Sequence, residues 1–146
     1  MMTADQTIEV LLIEDDPGDE LITREVFEHN RLNSALHVAR DGQEGLDYLY
    51  RRGAHAAARR PHLILLDLNL PKYNGHQLLE TIKTDPELSH IPVVVLTTSA
   101  SDKDILRSYQ LHASAYVTKP VDIDEFMSAV REIDEFFGRL VRLPQA

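Results

Sequence analysis

The sequence contains no cysteine and no tryptophan, and no run of consecutive apolar residues is longer than four. Without cysteine, the chain cannot form disulfides, thiol nucleophiles or zinc-thiolate sites, and it suits a reducing compartment. A membrane-spanning helix needs about 20 apolar residues, and the first residues lack the basic and apolar regions of a secretory signal. We therefore expect a cytoplasmic protein that makes no contact with a membrane.

Positive charge is also scarce, because 15 Lys and Arg stand against 24 Asp and Glu, for a formal net charge of -9. An acidic chain repels phosphate backbones, which argues against a nucleic-acid partner. The length of 146 residues allows one domain, and 43% hydrophobic residues are enough for a buried core.

The three longest apolar runs are rich in Leu and β-branched residues and show no alternation, which is typical of parallel strands buried on both faces. They are Val10–Ile13, Leu63–Leu66 and Val93–Leu96. Weaker patterns predict a second strand, at an edge, over Leu36–Ala39 and a fifth over Ala115–Thr118. Apolar residues at helical spacing predict a helix after each strand, on faces formed by Leu21, Ile22, Val26 and Phe27, by Leu46 and Leu49, by Leu78, Leu79 and Ile82, by Ile105, Leu106 and Leu111, and by residues from Ile123 to Leu140.

Five alternations of strand and helix predict an α/β protein with a flavodoxin-like (βα)5 fold. This fold is a three-layer sandwich around a parallel five-stranded sheet of order 2-1-3-4-5. Ser101 with Asp104 and Asp122 with Glu125 have the spacing that opens a helix, and they place the starts of the last two helices. The basic, Ala-rich segment 51–61 is interpreted as a solvated loop.

The chemically informative residues come directly after predicted strands. The acidic run Glu14-Asp15-Asp16 follows the first strand, Asp67 the third, Thr97 the fourth and Lys119 the fifth. In an open parallel sheet, ligands bind outside the carboxyl ends of the strands, so these side chains are expected to converge. Converging carboxylates require a cation, and a donor set of oxygens alone favours Mg²⁺, which Mn²⁺ can replace.

A carboxylate nucleophile, a hard cation, a lysine and a hydroxyl together suit in-line phosphoryl transfer onto Asp67. Each of these residues alone has a plainer interpretation. Asp15 or Asp16 could simply cap the first helix, and Asp67 could be a solvated loop acid. Lys119 could merely end a strand, although Pro120 also allows a cis peptide bond that would aim the lysine inward. Their joint occurrence favours the functional interpretation, while the role of Asp16 stays open.

Four segments of the chain resemble the response-regulator receiver domains of two-component signalling. Thr97 lies 30 residues and Lys119 lies 52 residues beyond Asp67, which are the usual intervals of that family. The resemblance covers about Ile8 to Glu132 and rests on Glu14-Asp15, on Asp67-Leu68-Asn69-Leu70-Pro71 followed by Gly75, on Val94-Val95-Leu96-Thr97, and on Tyr116-Val117-Thr118-Lys119-Pro120.

The resemblance implies that Asp67 accepts a phosphoryl group from a histidine kinase. It implies that Asp15 binds Mg²⁺ directly, that Glu14 binds it through water, and that Asn69 offers its backbone carbonyl. Glu14 stands where many relatives have Asp, so its contact with the metal could be rearranged.

The resemblance also implies that Thr97 and Lys119 bind the phosphoryl group and that Tyr116 is an aromatic switch whose rotamer reports activation. Alone, Tyr116 would more often be a half-buried packing residue. The protein would not be an enzyme but a phosphoacceptor that signals by conformational change and dephosphorylates itself slowly.

A narrower resemblance rests on six segments, namely Glu14–Asp19, Asp67–Pro71, Leu96–Ser99, Arg107–Tyr109, Lys119–Asp122 and the tail Phe136–Pro144. In these segments the chain resembles the small single-domain regulators that partner phytochrome-type kinases. The implied kinase is a bacteriophytochrome, and the implied assembly is a homodimer. Four apolar residues near the end are candidates for the dimer contact, namely Phe136, Phe137, Val141 and Leu143. Packing of these residues back onto the domain is the alternative.

We expect residues 1–133 to form the receiver domain and residues 134–146 to extend the last helix and tail. So short an extension cannot hold a separate output domain. The seven histidines have no pair at the spacing of a helical metal site and are expected at surface or loop positions: His29, His37, His55, His62, His76, His90 and His112.

Two other functions stay open. One is an aspartate-nucleophile phosphohydrolase of the haloacid-dehalogenase type, which should have a second Asp two residues after the nucleophile, where this chain has Asn69. The other is a receiver-like interaction module that acts without phosphorylation.

Overall fold

The computed structural model of the chain describes residues 7–29, 34–120 and 122–140, with side chains up to Phe136. Strands and helices alternate in the predicted order. The strands are β1 (Ile8–Ile13), β2 (Ser34–Ala39), β3 (Leu63–Leu66), β4 (Val93–Thr97) and β5 (Ala115–Thr118). The helices are α1 (Pro17–His29), α2 (Gly42–Leu49), α3 (Gly75–Thr84), α4 (Asp102–Gln110) and α5 (Ile123–Leu140).

All strands are parallel, and their order is β2-β1-β3-β4-β5, which confirms the predicted topology. The apolar strands β3 and β4 are completely buried, whereas the edge strands β2 and β5 are mostly half-buried. Strand β2 begins two residues earlier than predicted, at Ser34. Since parallel strands end at the same edge, the residues that follow β1, β3, β4 and β5 are brought together there.

Successive strand residues point to opposite faces of the sheet, so the strands feed two apolar clusters. The first cluster packs Leu11, Ile64 and Val95 against α2 and α3. The second cluster packs Leu12 and Leu65, among others, against α1 and α5. The protein is therefore the three-layer α/β sandwich that the sequence predicts.

Three apolar residues that the helical patterns assigned to inward faces are exposed instead. Leu21, Leu106 and Ile123 are 58%, 60% and 61% exposed, respectively. Ile123 is the first residue of α5. Leu21 and Leu106 lie inside their helices, and their exposure shows that helical spacing alone does not determine how much of an apolar face is covered.

Side chains cap the N-termini of several helices. Ser101 accepts from the backbone N–H of Asp104, and Asp122 accepts from that of Glu125, as predicted. Asn74 and Gln77 form a complete capping box at the start of α3. The next residue is Gly75, where an added Cβ would lie 2.4 Å from Leu68 Cα and 2.7 Å from Asp67 O. Only glycine lets α3 start this close to the loop that carries Asp67.

The segment 51–61 is mostly exposed, as predicted, and contains a short 3-10 helix at Gly53–His55. Arg60 Nε donates to Leu49 O at 3.0 Å, which joins the end of the segment to the last residue of α2. Among the described residues, no helix is long and apolar enough to cross a membrane.

Helix α5 continues past residue 133 without a break. Asp134 is buried, and Ser34 Oγ donates to its Oδ1 at 2.7 Å. The boundary between domain and extension at residue 133 stays a prediction.

Candidate functional site

Four polar residues lie buried at the carboxyl edge of the sheet. Glu14 follows β1, Asp67 follows β3, Thr97 ends β4 and Lys119 follows β5. Their exposed fractions are only 2%, 7%, 0% and 6% in that order. A buried charged group is costly unless it is paired, so the contacts of this cluster decide what it can do.

Lys119 stands at the centre of the cluster. Its Nζ donates to Asp19 Oδ2 at 2.8 Å and to Asp67 Oδ2 at 3.2 Å, and it also contacts Glu14 Oε1. One ammonium group therefore faces three carboxylates, which leaves the cluster with an excess of negative charge. A further cation would relieve this excess.

Asp19 is the member of the cluster that the sequence did not reveal. It lies in the first turn of α1, where an acidic residue is common because it complements the helix dipole. Its contact with Lys119 joins residues 100 positions apart and depends on the tertiary fold. The available signal was its nearness to Glu14-Asp15-Asp16 at the start of a helix that begins at the site.

The carboxylates of the cluster have different acidities. Burial raises the pKa of Glu14 to about 8, although Lys119 opposes this effect. Burial also acts on Asp67, but the charge of Lys119 and the surrounding hydrogen bonds outweigh it, so the pKa of Asp67 lies below its usual value. For Lys119, the carboxylates of Asp19 and Glu14 outweigh the effect of burial and raise its pKa. At neutral pH, Asp67 is an ionised carboxylate facing a protonated amine.

Glu14, Asp15 and Asp67 can each offer one carboxylate oxygen to a common point, because these oxygens lie within 4.8 Å of one another. Oxygen donors of this kind are what Mg²⁺ and similar hard ions prefer. The residues present therefore fit a divalent cation. Asn69 is exposed beside them, and its backbone N–H donates to Asp67 Oδ1 at 3.2 Å.

Asp16 has a separate structural role. Its Oδ1 accepts from the backbone N–H groups of Gly18 at 2.8 Å and Asp19 at 3.1 Å. This is the pattern of a helix cap. The question that the sequence left open is thus answered in favour of the cap.

Thr97 presents a buried hydroxyl to the site. Within the described part of the chain, its Oγ1 is completely buried and forms no hydrogen bond of good geometry, although it lies close enough to the Asp67 carboxylate to help lower the pKa of that group. Leaving such a group unpaired is unfavourable, so a ligand oxygen at this position would be stabilised. The backbone N–H of Lys119 donates to Thr97 O at 2.6 Å and keeps the two residues adjacent.

No cis peptide bond occurs among the described residues, so the cis bond that Pro120 would allow is not formed. Lys119 reaches the site without it.

Tyr116 is half-buried and tied to the loop that follows β4. Its hydroxyl donates to Ser99 O at 2.8 Å, and Ser99 Oγ donates to Asp104 Oδ2 at 2.6 Å. Tyr116, the expected switch residue, is thus linked to the start of α4.

Two of the histidines lie in regular elements and have specific partners, although both stay partly exposed. His37 lies in β2, half-buried, with its Nε2 2.8 Å from Glu9 Oε1. His76 lies in α3, half-buried, with its Nε2 3.1 Å from Ser108 Oγ. A histidine that has a specific buried partner gives no pattern in the sequence.

The sequence profile of the response regulator receiver domain matches residues 10–131. This chain belongs to the response regulator receiver domain family. The match confirms the resemblance drawn from the four sequence segments.

The chain is 40% identical to the response regulator Rcp1 of Synechocystis sp. over 137 residues, covering 94% of this chain and 93% of the relative. The crystal structure of the Mn²⁺-bound form of Rcp1 superposes with a TM-score of 0.89 at 39% identity, covering 94% of this chain and 99% of that one. The phosphorylated cyanobacterial phytochrome response regulator RcpA superposes with a TM-score of 0.91 at 40% identity, covering 96% and 100%. The chain thus resembles these regulators, one of which is described as a phytochrome response regulator, over nearly their whole length.

Proposed function

We propose that this chain is a stand-alone response regulator of a two-component phosphorelay, which accepts a phosphoryl group on Asp67 in a Mg²⁺-dependent reaction. The observation that carries the proposal is the environment of Asp67. Its carboxylate is held in the ionised state, 3.2 Å from Lys119 Nζ, beside the acidic group of Glu14 and Asp15. Membership of the receiver family and the similarity to phosphorylated RcpA support it.

The chemistry follows from the positions of these residues. An oxygen of Asp67 attacks phosphorus, the bond between phosphorus and the donor histidine nitrogen breaks, and its electron pair returns to that nitrogen. Lys119 neutralises the charge that the phosphoryl group brings, and the Thr97 hydroxyl donates to one of its oxygens. When bound by Glu14, Asp15, Asp67 and the Asn69 carbonyl, Mg²⁺ adds charge neutralisation, and Mn²⁺ can replace it.

The product is an acyl phosphate, which water hydrolyses slowly in the same site, so the protein is a phosphoacceptor rather than an enzyme. The phosphoryl group gives Lys119 and Thr97 a new partner. Thr97 and Tyr116 then shift the loop that follows β4 and transmit the change to the surface.

Incubation with acetyl phosphate, followed by intact-mass measurement, tests the reaction. Wild-type protein is expected to gain one phosphoryl group with Mg²⁺ and none after chelation. Asp67→Asn is expected to gain none. The matched control is Asp16→Asn, which replaces a nearby carboxylate by the same amide and is expected to take up phosphate like wild type. Absence of uptake by wild-type protein would favour the interaction module, and continuous turnover of small phosphoesters would favour the phosphohydrolase.

The proposed phosphodonor is a histidine kinase of the phytochrome type. A purified bacteriophytochrome kinase serves as the donor in the test. The support is the description of RcpA as a phytochrome response regulator. Transfer from this kinase should be much faster than transfer from a histidine kinase with an unrelated sensor. Equal rates would remove the phytochrome pairing but leave the phosphoacceptor. A cytoplasmic location belongs to the same proposal, since such kinases draw their phosphate from ATP.

A homodimer is proposed as the assembly. An apolar groove of about 590 Å³ lies between β4, β5 and the second half of α5, and it ends at Phe136, which is 53% exposed. The other candidates, Phe137, Val141 and Leu143, lie outside the described side chains. A second copy of the chain, supplying the apolar end of its own α5, would cover the groove.

Sedimentation of Phe136→Asp tests the dimer, with Glu132→Gln in the same groove as control. We expect the first variant to be a monomer and the second to be a dimer. Point substitutions are preferable to truncation after Ile133, because truncation would also remove the buried bond between Asp134 and Ser34. A wild-type protein that sediments as a monomer would end this proposal.

A further inference from the structure

Helix α4 is held to the body of the protein by unusually little apolar burial. Its only completely buried residue is a serine, Ser108. Leu106 is 60% exposed and Tyr109 is 48% exposed, and only the third large apolar side chain of the helix, Ile105, is half-buried. With so little burial, polar contacts must account for much of what positions α4.

The partner of Ser108 is His76 of α3. His76 Nε2 lies 3.1 Å from Ser108 Oγ and 3.3 Å from Asp104 O, on the same helix. With a proton on Nε2, the ring donates to these oxygens, and without one, the Ser108 hydroxyl donates to the ring. Among the described residues, no other side chain is bonded to Ser108 Oγ. Loss of the imidazole would therefore remove the hydroxyl's partner on α3.

His76 is placed to sense changes at Asp67. It is the second residue of α3, and the backbone N–H of Gly75 just before it donates to Leu68 O at 2.9 Å. Leu68 is the neighbour of Asp67. A displacement of the Asp67 loop therefore moves the start of α3 and carries the imidazole with it.

Asp104 of α4 receives contacts from two directions. Its carboxylate accepts from Ser99 Oγ at 2.6 Å, on the loop to which Tyr116 is bonded. Its backbone carbonyl faces His76 of α3. The first connection starts from Thr97 and the second from Asp67, so α4 lies where both loops can act on it.

We propose that His76 is a positioning residue that ties α4 to the loop carrying Asp67 through the Ser108 hydroxyl. This inference rests on the proposed phosphorylation of Asp67 for its signalling role, but the tie itself exists in the unphosphorylated protein. A change at Asp67 then reaches α4 by two routes, one through α3 and one through Thr97, Ser99 and Tyr116.

Amide hydrogen exchange of the full chain, read over α4, tests the tie. We expect His76→Leu, which keeps the size but removes the polar nitrogen, to speed exchange in α4 by about two- to twelve-fold, the effect of losing one hydrogen bond. His76→Gln places an amide nitrogen near the position of Nε2 and is expected to restore the wild-type rate. His90→Leu, at an exposed loop position, is the control and should leave α4 unchanged.

Ser108→Ala provides the second half of a double-mutant cycle. If the two residues act on α4 through each other, His76→Leu combined with Ser108→Ala should speed exchange no more than His76→Leu does alone. Effects that multiply, or an exchange rate in His76→Leu within the error of wild type, would overturn the tie.

The signalling role is tested with acetyl phosphate and Mg²⁺. In His76→Leu we expect phosphate uptake at the wild-type level. Phosphorylation should, however, change hydrogen exchange in α4 at least two-fold less in this variant than in wild type. His76→Gln is expected to restore the wild-type change. A full response in His76→Leu would overturn the second route. If wild-type protein takes up no phosphate, the proposed function fails, while the exchange rates of the unphosphorylated variants still decide whether the tie exists.

Discussion

Helices α3 and α4 are consecutive in the chain and nearly equal in length, with 10 and 9 residues, yet they are anchored in different ways. Each starts with a side-chain cap, from Asn74 in α3 and from Ser101 in α4. Helix α3 buries Leu78, Leu79 and Ile82 completely, whereas α4 buries only Ser108. The comparison shows that the local signals that start a helix do not determine how firmly it is attached.

The difference suits the proposed function. Full burial of a Leu or Ile side chain contributes about 1.5 to 3 kcal/mol, so α3 from Leu78 onward is fixed to the sheet as part of the core, while its first residue is bonded to the loop that carries Asp67. Besides the half-buried Ile105, helix α4 is held by polar contacts of about 1 kcal/mol each, which can exchange partners at little cost. A helix held in this way can change position when the loops after β3 and β4 change.

The largest effect is expected for Leu78→Ala in α3. Removing a completely buried Leu side chain should lower the free energy of unfolding by about 2 to 5 kcal/mol, as measured by urea unfolding. If the loss were below about 1 kcal/mol, α3 would not be the anchored helix that the comparison assumes.

Mg²⁺ should sharpen the comparison by stabilising the site without acting on α4. At a free concentration a hundredfold above its dissociation constant, we expect the free energy of unfolding to rise by about 2.7 kcal/mol. The local opening of α4, read by hydrogen exchange, should stay constant, because Mg²⁺ alone brings no phosphoryl group to Asp67 for Lys119 and Thr97 to bind. Asp15→Asn should remove most of the stabilisation and Asp16→Asn little of it, and equal losses in both variants would argue against the assigned ligands.

The two helix caps should separate global from local stability. Asn74→Ala and Ser101→Ala should each lower the global free energy of unfolding by about 1 kcal/mol, because each removes one cap. Only Ser101→Ala should also speed the local opening of α4, since the α3 cap stays intact when α4 opens alone. Hydrogen exchange at several urea concentrations distinguishes the two processes. A local effect of Asn74→Ala on α4 would show that the two helices open together.

The smallest effect is expected for Leu106→Ala in α4. This side chain is 60% exposed, so its truncation should change the free energy of unfolding by no more than about 0.5 kcal/mol. Urea unfolding of Leu106→Ala and Leu78→Ala under the same conditions compares two Leu→Ala substitutions in neighbouring helices. A loss near that of Leu78→Ala would mean that α4 is anchored by apolar contacts after all.

Much of the fold could be predicted because buried parallel strands leave a strong pattern. The runs Leu63–Leu66 and Val93–Leu96 correspond to β3 and β4 almost without change. Strand β2 was underestimated because its half-buried residues carry a weaker signal. The exposure of Leu106 and Ile123 could not be read from helical spacing, since it depends on how far the sheet extends beneath each helix.

The same reasoning explains the predictions for the site. Glu14, Asp67, Thr97 and Lys119 were found because each stands where a recognisable strand ends. Asp19 and Ser108 were missed because neither interrupts an apolar pattern nor stands at a strand end. Their importance comes from single contacts across the fold, Asp19 with Lys119 and Ser108 with His76.

Gly75 has a consequence for how such a chain can vary. Any larger residue there would press on the backbone of Asp67 and Leu68. The choice of residue at position 75 is therefore as restricted as the choice at position 67, which carries the nucleophile. An alanine at this position would disturb reactivity while every reactive group was still present, and a survey limited to charged and hydroxyl residues would overlook the cause.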